Sequence, residues 1–161
     1  MKIAVSILIG FMMVLRPVDS PAQLFKSVKS FVHFFSSAPL ENIEAVNNAT
    51  QSALRLDNGE IVFSVPIKEF TFQKALMQEH FNENYMESHK YPVATFKGNL
   101  TGLNSYTTSW QQVTAKGKIK IHGVERESTY SGRIRVDSGT IELEAVFPVR
   151  LADHKIKIPK V

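Results

Sequence analysis

The chain has no cysteine among its 161 residues. That absence excludes disulfide cross-links, thiolate metal sites, a cysteine nucleophile and a lipid-modified amino-terminal cysteine, so packing alone must hold the fold. Charge of one sign is also scarce. Nineteen lysines and arginines against 15 aspartates and glutamates give a formal charge of +4, too small a surplus to call for nucleic acid as a partner. No Gly-x-Ser-x-Gly elbow and no phosphate-cradling glycine loop occurs. The long apolar run sits at the amino terminus, Ile3 to Val5 and Ile7 to Leu15 behind Lys2. It falls short of the ~20 residues that favour a membrane span. With Ser20-Pro21-Ala22 supplying small residues, residues 1–22 read as a signal peptide cut after Ala22, which makes residues 23–161 one exported domain, periplasmic or secreted. Removal of Lys2, Arg16 and Asp19 leaves 17 basic and 14 acidic side chains, a charge of +3.

What is present is mostly strand. Phe31, Val32, Phe34 and Phe35 crowd the stretch from Ser30 to Ser36, both faces of it apolar, and Ala38-Pro39-Leu40 breaks it. A short strand over Asn42 to Asn48 puts Ile43 and Ala45 on one side, and Asp57-Asn58-Gly59 is a turn. Beyond it Ile61, Phe63 and Val65 alternate with Glu60, Val62 and Ser64. Pro66 bends the ladder before Phe70 and Phe72. A helical connector follows over residues 73–88, with Leu76, Met77, Phe81 and Tyr85 on its apolar side and Lys74, Gln78 and Glu83 facing away. Tyr91-Pro92 then starts a strand in which Ala94, Phe96, Gly98 and Leu100 point inward, and Thr101 to Ser109 is a polar loop.

The rest of the chain fixes its own register. With His122-Gly123 in a tight turn, Ile121 lies opposite Val124, Lys120 opposite Glu125 and Lys118 opposite Glu127. With Asp137-Ser138-Gly139-Thr140 as the next loop, Val136 meets Ile141, Arg135 meets Glu142 and Arg133 meets Glu144. The outcome is an antiparallel meander over Val113 to Val149. Its inner face sets Val113 beside Gly132 and Ala145, Ala115 beside Tyr130 and Phe147, and Gly117 beside Ser128 and Val149. Small residues in such rows either hollow out a barrel of about eight strands or let curved strands bend.

Met77 to Gly98, read M-Q-E-H-F-N-E-N-Y-M-E-S-H-K-Y-P-V-A-T-F-K-G, resembles the YceI-like family of secreted, lipocalin-like, polyisoprenoid-binding proteins. Phe34 to Ala45 and Gly117 to Arg126 resemble it in the same order. The resemblance implies a mainly β, antiparallel, lipocalin-like barrel that holds a polyprenyl or quinone-like lipid inside without catalysis, metal or nucleotide. The candidate ligand-binding set is Phe34, Ile61, Phe63, Phe96, Val113, Ala115, Gly117, Ile119, Tyr130, Gly132, Ile134, Leu143, Ala145 and Phe147. Family members usually continue with one more strand after the segment Lys157-Ile158-Pro159-Lys160-Val161. Its absence implies an unclosed sheet whose free edge invites a second copy.

Other readings compete. His80, Glu83 and Glu87, with His89 behind them, are nitrogen and oxygen donors spaced for one helical face, as a metal-dependent enzyme would need. The plainer reading is that they cap short helices at the barrel mouth. Lys116, Lys118 and Lys120 form a basic stripe, read as a solvated face with acidic partners and alternatively as a transient contact with an anionic membrane surface. A structural or interaction barrel with a filled core is the remaining alternative.

Overall fold

The structure, a computed structural model, describes residues 24–37, 42–104 and 107–157. The signal-peptide reading, the break at Ala38-Pro39-Leu40 and the last four residues lie outside them. The strands are β1 (Leu24–Lys26), β2 (Val32–Ser36), β3 (Ile43–Asn47), β4 (Gln51–Arg55), β5 (Glu60–Pro66), β6 (Phe70–Phe72), β7 (Val93–Thr101), β8 (Gln111–Ile121), β9 (Val124–Asp137) and β10 (Thr140–Ala145). They form a seven-stranded sheet, ordered β1-β4-β5-β7-β8-β9-β10, and a three-stranded sheet, ordered β2-β3-β6, with every pairing antiparallel.

The two sheets are one meander folded at a corner. β1 and β2 pair with β4 and β3 respectively, and β4 and β3 pair with β5 and β6, so each chain segment crosses from one sheet to the other. Pro66 and the 3-10 turn Ile67–Glu69 make the bend between β5 and β6, as the proline's missing N–H requires. Asn47 makes the bend between β3 and β4. It is fully buried; its Nδ2 donates to the carbonyl of Pro66 at 2.6 Å, and its Oδ1 accepts from Ala49 N at 2.9 Å and Thr50 Oγ1 at 3.3 Å. One side chain thus ties both corners together.

The result is a nearly closed barrel with one unsealed seam, and β1 and β10 are the edge strands of the larger sheet. The register expected for the last three strands is the one observed: Ile121 opposite Val124, Lys118 opposite Glu127, Val136 opposite Ile141, Arg133 opposite Glu144. β10 nevertheless ends at Ala145, not at Val149. Pro148 cannot donate to a ladder, and the chain leaves the sheet before reaching it. Val149 therefore does not join the row of Gly117 and Ser128.

The connector is α1 (Ala75–His80) followed by a π turn (Phe81–Tyr85). Met86 N bonds Phe81 O at 2.9 Å, which rotates the end of the helix. Met77, Phe81 and Tyr85 pack on the core as expected, whereas Leu76 is 63% exposed, because the contact face is narrower than the apolar stripe.

Candidate functional site

Two apolar clusters fill the barrel. The first holds Leu54, Ile61, Phe96, Leu100, Val113, Ile119 and Ile134, all buried, with Phe63, Ala115, Tyr130 and Leu143 partly buried against them. The second lies under the connector and gathers Ala45, Ile67, Phe70, Phe72, Met86 and Ile156, with Val32, Phe34 and Phe81 packed on it. Phe81 is its hub, with ring centroids 4.9 Å from Phe72, 5.4 Å from Phe70 and 6.2 Å from Phe34.

The candidate ligand residues do not all fall in one place. Ile61, Phe63, Phe96, Val113, Ala115, Ile119, Tyr130, Ile134 and Leu143 share the first cluster, as alternation along paired strands dictates. Phe34 belongs to the second cluster because the corner at Asn47 carries β2 and β3 to the other end of the barrel. Ala145 is exposed at the end of β10, and Phe147, beyond that strand, is 40% exposed. Phe147 still reaches inward, its ring stacked on Tyr130 at 3.8 Å, and Tyr130 leans on Phe96 at 5.8 Å. These three rings form an aromatic row that runs from buried Phe96 to exposed Phe147.

The inward glycines answer the question left open by the sequence. Gly117 lies opposite Gly98, and a Cβ on Gly117 would collide with the Lys97 carbonyl oxygen and with the Gly98 Cα. A Cβ on Gly132 would lie 2.6 Å from the Glu144 carbonyl oxygen. Both mark close backbone approach in coiled strands, not space left for a ligand. A cavity of about 210 Å³ is lined by Leu56, Asp57, Asn58, Gly59, Leu100, Gly102 and Leu103, and another of about 610 Å³ by Lys68, Asn82, Glu83, Ser88 and His89. Neither is lined by any residue of the candidate set. Of the candidate set, Phe63, Ala115, Tyr130 and Leu143 are only partly buried and Phe147 is exposed, so this apolar strip keeps some contact with solvent.

Charge is kept to the outer face. Arg133 meets Glu144 at 2.7 Å, Arg135 meets Glu142, and Lys118 reaches diagonally to Glu125 at 3.1 Å instead of to Glu127 directly opposite. The hydrogen bonds that these cations donate, Lys118 to Glu125 and Arg135 to Glu142, hold both above their ordinary pKa range. Trp110 covers the two guanidinium groups, at 4.6 Å from Arg133 and 5.2 Å from Arg135. Lys97 lies directly opposite Lys118, a like-charge pair that costs the sheet stability.

The donors considered for a metal are not brought together. Glu87 lies past the π turn with φ at +43°, off the helical face, and its carboxylate goes to His122 Nε2 at 2.8 Å. His80 Nδ1 accepts instead from Asn84 Nδ2 at 2.8 Å. Among the described residues no three imidazole or carboxylate groups are placed to hold a metal ion. The Glu87–His122 contact itself was not foreseen from sequence, because residues 35 positions apart carry no periodic signal.

A family model, that of the YceI-like domain, matches residues 25–161. Among solved structures the chain is similar to a polyisoprenoid binding domain from Saccharophagus degradans implicated in plant cell wall breakdown, at 15% identity and TM-score 0.67, covering 83% of this chain and 80% of that one. It is also similar to BcnA of Burkholderia cenocepacia, at 12% identity and TM-score 0.53 over 81% of this chain and 71% of that one. The YCEI protein of Campylobacter jejuni matches at 14% identity and TM-score 0.53 over 91% and 78%. At these identities the likeness is one of fold. No curated protein matches the chain at a significant level.

Proposed function

The chain belongs to the YceI-like domain family, and from that premise we propose that it binds a long apolar lipid of isoprenoid type, polyprenyl or quinone-like, without altering it chemically. The observation that carries the proposal is the aromatic and aliphatic strip of Phe63, Ala115, Tyr130, Leu143 and Phe147, which the barrel leaves partly exposed. A strip of this kind binds by excluding water, at about 25 cal/mol for each Å² of apolar surface covered, and asks for no specific hydrogen bond. The likeness to a polyisoprenoid binding domain supports the ligand class. A carrier of this sort acts in the cell envelope, as the signal-peptide reading of residues 1–22 requires. Contact with an anionic membrane through the Lys116, Lys118 and Lys120 stripe, and pairing of two copies through the open edge, are parts of the same proposal.

A second reading, a barrel with a filled core that serves as a structural or interaction module, draws on the complete burial of Ile134, the near-complete burial of Ile61, and glycines that abut backbone. Ala115→Phe separates the two. Ala115 sits between Leu100 and Tyr130 on the inner face, so a phenyl ring there occupies the strip at a folding cost of about 1–3 kcal/mol. We expect uptake of a radiolabelled polyprenol to fall at least about tenfold, a loss of ~1.4 kcal/mol, while Thr129→Ser on the outer face leaves it unchanged. Equal uptake by Ala115→Phe and the wild type would remove the strip from the site.

A further inference from the structure

Three segments far apart in the chain meet at His122. Its Nε2 lies 2.8 Å from Glu87 Oε2, just beyond the connector, and its Nδ1 lies 3.2 Å from the carbonyl oxygen of His154 in the 3-10 turn Leu151–His154. An ionised carboxylate and a carbonyl oxygen can only accept, so each contact needs an N–H from the ring. A neutral imidazole has one N–H and an imidazolium has two. The side chain is 10% exposed, which leaves little room for water to supply the missing donor.

The surroundings hold the ring in place. His122 and Gly123 both lie at positive φ, +51° and +74°, in the β8–β9 turn. The Tyr91 ring stands edge-on to His122 at 4.4 Å and fills the space beside Gly123, where a Cβ would come within 2.6 Å of it. From the carboxyl-terminal side His154 is itself buried, its Nδ1 donating to Val124 O at 3.2 Å, and Arg126 Nε donates to Asp153 O at 3.0 Å. The charged groups facing the pair are Lys90, 3.9 Å from the Glu87 carboxylate and more than half exposed, and His89.

We propose that His122 is a proton-dependent latch: in its doubly protonated form it ties the connector and the carboxyl-terminal turn to the β8–β9 turn, and loss of one ring proton releases them. With a proton gone, one nitrogen lone pair faces an acceptor oxygen, which repels it. What is released is the cover over the second apolar cluster, where Met86 and Phe81 from the connector side and Ile156 from the carboxyl-terminal side close over Phe70 and Phe72. Acid opens the latch from the other side. The hydrogen bond from His122 first, and the charge of Lys90 after it, hold the Glu87 carboxyl below its ordinary range. A carboxyl lowered in the folded state adds stability that is present above its unfolded pKa and is lost as pH falls through the lowered value. Use of the opening for lipid exchange rests on the lipid reading above; the latch itself does not.

The test needs no ligand. In ¹⁵N-histidine spectra of the full chain, both His122 ring nitrogens are expected to carry protons in the latched state, and the amide signals of residues 75–88 are expected to move with the ring as base removes one of them. A ring that titrates while the connector signals stay still overturns the latch. Independently, His122→Gln is expected to lower Tm by on the order of 5 °C at a pH where the wild-type ring holds both protons and by much less at one where it has lost one of them. An equal drop at both pH values overturns the proposal even if polyprenol uptake proves correct.

Discussion

Asn47 is fully buried at the corner where two sheets become one meander, and no other described side chain ties both bends. Its amide does what neither backbone can do alone: the Pro66 carbonyl, inside the bend, receives a donor, and the turn at Ala49 and Thr50 receives an acceptor. Truncation leaves several polar groups buried and unpaired, each costing about 1–3 kcal/mol. Asn47→Ala is therefore expected to destabilise the fold by at least ~2 kcal/mol in urea unfolding, and Asn47→Asp by a comparable amount, since a carboxylate cannot donate to Pro66. A loss below about 0.5 kcal/mol, the range of surface substitutions, would mean that the corner is held by its backbone.

At the scale of elements, the connector is tied to the barrel mainly through one ring. Phe81 stands on the π turn and touches aromatic rings from β2 and β6, so the turn exists to aim that ring down the end of the barrel. Phe81→Ala is expected to cost up to about 3 kcal/mol, the low end of the range for a buried phenylalanine because the ring is half-buried. It should also abolish hydrogen-exchange protection in residues 75–86 before the strands lose theirs. Simultaneous loss in connector and strands would show that they unfold as one unit.

Elements with a repeating signal were legible in the sequence. β8, β9 and β10 could be registered because two turns and the alternating charges of Lys118, Arg133, Glu142 and Glu144 agree on one pairing. β4 was not legible: Gln51-Ser52-Ala53-Leu54-Arg55 has one large apolar residue, and its strand exists because β5 pairs with it. The π turn, the placement of Phe34 at the far end, and the meeting of Glu87, His122 and His154 depend on tertiary geometry with no local pattern behind it. For the candidate site, alternation follows the same face that gathers Ile61, Phe63, Phe96 and Leu143 in one cluster. At Gly117 and Gly132 the signal is ambiguous, since a glycine that makes room and a glycine that lets two backbones touch look alike in one dimension.

Over the whole molecule, the barrel has an outer face bound by ion pairs, an inner face that is apolar, and a seam where that inner face meets solvent. The seam also leaves β10, β1 and β2 with one partner each among the described strands, and Phe35 and Val146 are exposed. A lipid lying along the Tyr130–Phe147 wall would cover apolar surface that the protein itself leaves open. Extraction of the protein purified from its own cells with organic solvent, followed by mass spectrometry, tests this most directly. The account predicts a long-chain isoprenoid lipid in near-stoichiometric amount from the wild type and a large loss of it from Ala115→Phe; an extract with no apolar molecule, or the same lipid in the same amount from both proteins, would contradict it.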